Sequence, residues 1–207
     1  MKKALWLCTL AAFFCAAGSV SAAGAANARK KNSAQTNAQA GYLASLIGVV
    51  DTAKTRLEQA QRDESAFYRR LGWDNGRVRG LIDLNTFLPC LEKRRALAKY
   101  YGDSAASARG APVPAKHTAS HRKFITYLAA REAAETGKLA RIDQLLADWK
   151  NSLEQDEKTA VFPADKIHQT FNFWPADHEA DTLRRDWAAA FNREYNKKRI
   201  NRAPAEL

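Results

Sequence analysis

Apolar residues recur at three- and four-residue spacing along most of this chain, a period that predicts helices rather than strands. The longest run covers residues 117–157. Ile125, Leu128, Leu139, Ile142, Leu146, Trp149 and Leu153 form its stripe, and His117 and His121 continue it at the front. Glu132 and Glu135 occupy two places in the middle of that spacing, so the stripe has a polar interruption. Gly137 lies just beyond. The apolar phase runs on past it, which predicts one continuous helix rather than two. Thr118 or Ser120 is the expected N-cap.

A second long pattern covers residues 42–71. Leu43, Leu46, Ile47, Val49, Val50, Ala53, Leu57, Ala60, Phe67, Tyr68 and Leu71 make its apolar face, and Glu64 falls on the seam. Gly72, Asn75 and Gly76 predict a turn after it. In residues 77–101, Val78, Leu81, Ile82, Asn85 and Leu88 share one face. Pro89 should then kink or break the helix over Thr86 to Cys90, because it lacks an N–H and crowds the preceding turn, with a new segment from Leu91 to Tyr101 ending at Gly102. Residues 103–116, with Pro112 and Pro114, show no period and read as a linker. Residues 159–175 are irregular and aromatic, with one helical turn expected over 165–170. A last helix begins at Pro175 or Ala176 and carries Leu183, Trp187, Ala190, Phe191 and Tyr195. No alternating strand pattern occurs. The expected fold is all-α: an antiparallel helical bundle of three to five helices, two of them long, with an aromatic C-terminal segment packed across it.

The opening residues change the picture of where this bundle works. Lys2 and Lys3 precede an apolar stretch, residues 4–17, too short for a typical membrane span. Small residues follow, with Val20 and Ala22 placed for cleavage after Ala22. This is the layout of a secretory signal, and it predicts a periplasmic or secreted protein. The expected organisation is a cleavable signal over 1–22, a flexible leader over 23–40, a single helical domain over 41–200 and a frayed tail over 201–207. Of the three cysteines only Cys90 lies beyond the signal, so no intramolecular disulfide staples the fold. The formal net charge is +11, and loss of Lys2 and Lys3 with the signal makes it +9. Such a charge attracts anionic envelope components or acidic proteins. Export makes nucleic acid an unexpected partner.

Chemistry-bearing residues are few. His117 and His121 stand four apart, on one helix face, close enough to share zinc or copper, with His168 or His178 as a further ligand. Thr118 after the first His departs from the zinc-protease pattern, which needs Glu there. Glu132, Glu135 and Glu64 could form a carboxylate cluster, neutralised by Arg69, Arg70 or Arg131 as an ion pair, or with Glu132 or Glu135 as the acid/base group of an enzyme acting on an envelope polymer. Without the Glu-x-x-His pairs of di-metal bundles, the expectation is that the helix is exposed at Glu132 and Glu135. Cys90 is expected buried; its alternative is an intermolecular disulfide in a homo-oligomer, for which helix faces are the other route. Phe171, Phe173 and Trp174 are expected to strap the bundle, with a binding platform as their alternative. Arg184, Arg185, Arg193, Lys197, Lys198 and Arg199 form a basic face on the last helix, suited to a lipid headgroup or acidic protein. There is no nucleophile motif or phosphate loop. The functional expectation is a non-enzymatic envelope binding or assembly protein, ahead of a metal-binding helical protein and an enzyme.

Overall fold

A computed structural model describes residues 22–72, 78 and 81–200; the side chains of 22–38, 40, 43 and 195–200 are outside the description. The five helices are α1 (Ala22–Arg70), α2 (Leu88–Gly110), α3 (Thr118–Gln155), α4 (Ala164–Asn172) and α5 (Pro175–Ile200). Residues 1–40 form one unit and residues 41–207 another. The signal segment lies outside the described residues apart from Ala22. Over residues 23–40 the backbone is helical and continuous with the rest of α1, and Ala and Gln favour helix.

Within residues 41–207 the helices alternate in direction. Glu64 of α1 meets Arg94 of α2, while Val49 of α1 meets Tyr100. Arg94 meets Glu135 of α3, while Ala108 meets His121. Lys138 of α3 meets Asp177 of α5, while Ser120 meets Glu194. In each pair one number rises as the other falls, so α1, α2, α3 and α5 form an antiparallel bundle, and α4 is a short insertion between the last two.

Three expectations about residues 77–116 are overturned. Pro89 does not interrupt a helix; it sits in the first turn of one. Its missing N–H costs nothing there, because first-turn donors have no intrahelical acceptor. The preceding stretch is a 3-10 turn, Leu84–Thr86, in which the Asn85 N–H donates to the Asp83 carboxylate. Leu81 and Leu88, read as part of a buried face, are 75% and 45% exposed. The expected linker is also shorter. α2 continues to Gly110 because Ala105 is buried against α1 and α3 and Lys99 pairs with Asp103 at 2.8 Å. Pro112 and Pro114 then enforce the connection.

α3 runs unbroken through Gly137, as its phase predicted. The glycine has a packing reason: a Cβ there would lie 3.1 Å from Cζ2 of Trp174. The indole rests on the helix backbone. Phe171 is buried, so the aromatic segment does pack across the bundle, while Phe173 stays 76% exposed.

The interior divides into two apolar clusters. One gathers Phe67, Phe87, Leu91, Ile142, Trp149, Phe162, Ile167 and Phe171. The other gathers Tyr42, Leu46, Leu97, Tyr101, Phe124, Tyr127 and Leu128, with Trp187 and Phe191 against it. Burying each large side chain stabilises the fold by about 1.5–3 kcal/mol. The polar groups of interest lie between the clusters and at the outer end of the second.

Candidate functional site

Arg94 follows Leu91 and precedes Leu97 on the buried face of α2, so the helix carries a guanidinium into the core at 1% exposure. A charge so placed is tolerable only with partners. Glu64 approaches its Nη2 at 3.5 Å, and Glu135 approaches its Nη1 at 3.1 Å. Lys138, one turn after Glu135, donates to Glu135 at 2.9 Å and meets Asp177 at 2.8 Å. Asp177 also meets Arg131 at 3.2 Å, and Arg131 reaches Asp181. The result is a string of alternating sign: Glu64, Arg94, Glu135, Lys138, Asp177, Arg131, Asp181. It crosses α1, α2, α3 and α5. The Phe171 ring lies under the Arg94 guanidinium at 4.5 Å, adding a cation–π contact.

This corrects the expectation that α3 is exposed at its polar interruption. Glu135 is 3% exposed and Lys138 is 3% exposed. Glu132, half-buried, folds instead over Gly102, where a Cβ would collide with its carboxylate. The neutralising cations are not those expected. Arg69 and Arg70 are exposed, and Arg131 serves Asp177 and Asp181. Arg94 and Lys138 were missed; their signal was a cation at a three-residue step within an apolar stripe.

Glu64 is the weakest-held member. Burial pushes its carboxyl up to about 7, against the lowering influence of Arg94, with further lowering by a hydrogen bond from Asn172 and by Lys138. His168 stands beside it, Nδ1 at 3.8 Å from Oε1.

The second polar group sits where α3 begins. His117, fully buried, is sandwiched between the rings of Tyr42 at 5.5 Å and Phe191 at 5.4 Å. Its Nδ1 is 3.3 Å from Glu194, and its buried Nε2 has no hydrogen-bond partner among the described residues. Burial lowers its pKa from the usual value, as does Lys116 more weakly, while the hydrogen bond to Glu194 opposes the shift. Glu194 also accepts from the Ser120 N–H at 3.1 Å and from its hydroxyl at 2.5 Å. So α3 is capped by a carboxylate of α5, not by the side chain of Thr118 or Ser120. An anion suits that helix end. Ser120, His117 and Glu194 are not a nucleophile system, because the carboxylate rather than the imidazole holds the serine hydroxyl.

His121 has both ring nitrogens occupied. Nε2 donates to the Ala108 carbonyl at 2.8 Å, and Nδ1 accepts from the Tyr42 hydroxyl at 3.0 Å. Burial, followed by Glu194, pushes the Tyr42 hydroxyl up to about 12. The proposed ligands do not converge. His168 packs on Tyr68 at 5.5 Å, and Tyr42 and Tyr68 lie about 39 Å apart along α1 at 1.5 Å per residue. His178 is exposed beside Asp177, about 24 Å along α5 from Glu194 on the same rise. Among the described residues no three His, Cys, Asp or Glu side chains gather as a metal site.

Cys90 is fully buried with its Sγ 3.5 Å from the Ala60 carbonyl, and burial raises the thiol to about 12. A thiol so placed meets no other chain unless the core opens. Of the basic face, Arg184, Arg185 and Arg193 are exposed on α5; the side chains of Lys197, Lys198 and Arg199 lie outside the described residues. No described helix is long and apolar enough to cross a membrane. The sequence matches no protein-family model, and the chain matches no curated protein and no solved structure.

Proposed function

We propose that the chain is an exported, non-enzymatic binding or assembly protein of the bacterial cell envelope, offering a basic helical surface to an anionic or protein partner. The observation that carries this reading is a contrast in how cations are matched. Inside, Arg94, Lys138 and Arg131 each touch carboxylates and hold helices together. Outside, among the described residues, Arg185 meets the Thr182 hydroxyl, Arg184 stands a loose 3.7 Å from Asp181, and Arg193 is exposed with no described carboxylate against it. The interior charges serve the fold; some surface cations pair too, as Arg95 does with Asp143, whereas these three on α5 remain for a partner. Phe173, 76% exposed just before α5, adds an apolar anchor of the kind that accompanies cations at interfaces.

The test is retention of the purified protein on a bacterial envelope fraction as salt is raised. Binding at low ionic strength should fade as the Debye length falls below about 8 Å near 0.15 M. The R184Q/R185Q/R193Q variant should release at lower salt than the parent. Absence of binding, or binding indifferent to salt, would overturn the electrostatic reading.

A further inference from the structure

The acids of this chain are unevenly placed. No Asp or Glu occurs in residues 1–50 or 104–131, and only Glu206 follows Glu194. Folding brings parts of these acid-free stretches to one end of the bundle. There α1 enters the domain at Gly41, α2 finishes at Gly110, α3 begins at Thr118, and α5 runs on beyond Glu194 to Ile200. The contacts of Tyr42 and Ala108 with His121, and of Glu194 with Ser120, make these segments neighbours. Arg109, Arg122, Lys123 and Arg193 are exposed there, and Lys116 is half-buried. Among the described residues, Glu194 is the carboxylate at this end, and it is turned inward onto Ser120 and His117. On α2, the nearest acid in sequence is Asp103, paired with Lys99. In sequence, Arg29-Lys30-Lys31 precede the entry and Lys197-Lys198-Arg199 follow Glu194.

Resting on the reading above, we propose that this end of the bundle is the docking surface, and that its partner is a bilayer rich in anionic phospholipid headgroups. The exposed cations come from three elements, α2, α3 and α5, and so are spread over this end instead of lining one helix face. A planar array of phosphates meets all of them together, whereas a linear polyanion would be matched by a stripe. Segregating acid from this end also gives the molecule an electrical axis, which turns it end-on toward a negative surface before contact. Each Lys or Arg held near such a surface strengthens binding about fivefold.

The test is sedimentation of the purified protein with phosphatidylglycerol vesicles and with phosphatidylcholine vesicles. Binding should be confined to the anionic vesicles. R109Q/R122Q/K123Q should weaken it about a hundredfold, from that per-charge factor. R141Q/K150Q/K158Q removes the same charge from exposed positions further along α3 and beyond it, and should weaken binding less than about threefold on the same scale. Circular dichroism checks that each variant is folded; if the first triple is not, R122Q alone should cost about fivefold. Equal weakening by both triples would sink the end-on surface and leave the basic-surface reading standing. Retention on soluble polyphosphate without vesicle binding would sink the lipid partner alone. Retention by neither would sink the lipid-docking end, while salt-sensitive retention on the envelope fraction decides the basic-surface reading separately.

Discussion

Between the two apolar clusters, Arg94 and Lys138 meet Glu64, Glu135 and Asp177 as buried charges; where α3 begins, His117, Ser120 and Tyr42 are held by ring stacking, hydrogen bonds and one carboxylate, Glu194. Both groups stitch α1, α3 and α5. They differ in what happens when one member is lost. In the string each charge is balanced by its neighbours, so removing one leaves another uncompensated in a dry interior. In the histidine group the stacked rings persist without the polar contacts. Buried charge fixes which helices meet and at what register; buried rings fill space and tolerate change.

The largest expected effect tests that difference directly. Arg94→Met leaves Glu64 without its cation and Glu135 with Lys138 alone, and should destabilise the fold by about 3–5 kcal/mol in urea unfolding. Arg94→Met with Glu64→Gln and Glu135→Gln should recover most of the loss, because Lys138 keeps Asp177. If the triple variant were as unstable as the single one, the string would be packing rather than electrostatics.

Next comes pH, where the two groups should show opposite signs. The folded Glu64 carboxyl is raised to about 7 from an ordinary value of 4.5. Between those values the unfolded chain gives up the proton first, so stability falls as pH rises through that window, by roughly 3 kcal/mol at most. Glu64→Gln should flatten this limb. The folded His117 pKa is lowered from 6.5 by burial. Below 6.5 the unfolded chain takes up the proton first, so this contribution is lost as pH falls. His117→Phe should flatten that acid limb and leave the Glu64 limb untouched. Melting temperatures from pH 4 to pH 9 for the three proteins read both slopes, and a shared sign would break the comparison.

The smallest effect concerns the border of the string. Gly102 faces the carboxylate of Glu132, the flexible end of a side chain. Gly102→Ala should therefore displace only that end and gain helix propensity, for a net stabilisation of about 0.5–1 kcal/mol. A loss of more than that would mean Glu132 is held as firmly as Glu135.

How much of this was legible depends on the range of the interaction. The α3 stripe predicted its helix through Gly137, because a 3.6-residue period is a local property of the chain. Glu64 on its seam and Glu135 in its stripe were visible as anomalies, and both are buried. Their partners were not visible, since Arg94 lies thirty residues from one and forty-one from the other in sequence. Pro89 was misread for a similar reason. A proline marks a place where helix bonding is absent, and the start of a helix satisfies that as well as a break does. The paired histidines showed correct helical spacing. Their ring nitrogens, however, face Tyr42, Ala108 and Glu194, none of which is close to them in sequence except Ala108.

By itself, the sequence determined the helical class, the long third helix, the last helix and the excess of positive charge, all of which follow from periodicity and composition. It also set the acid-free stretches. Only the tertiary structure decided that Glu135 is paired and not exposed, that α2 starts rather than bends at Pro89, and that separate basic segments share one end of the bundle. These depend on which helix faces meet across long sequence separations, where the energy of a charge is set by a neighbour that no local pattern names.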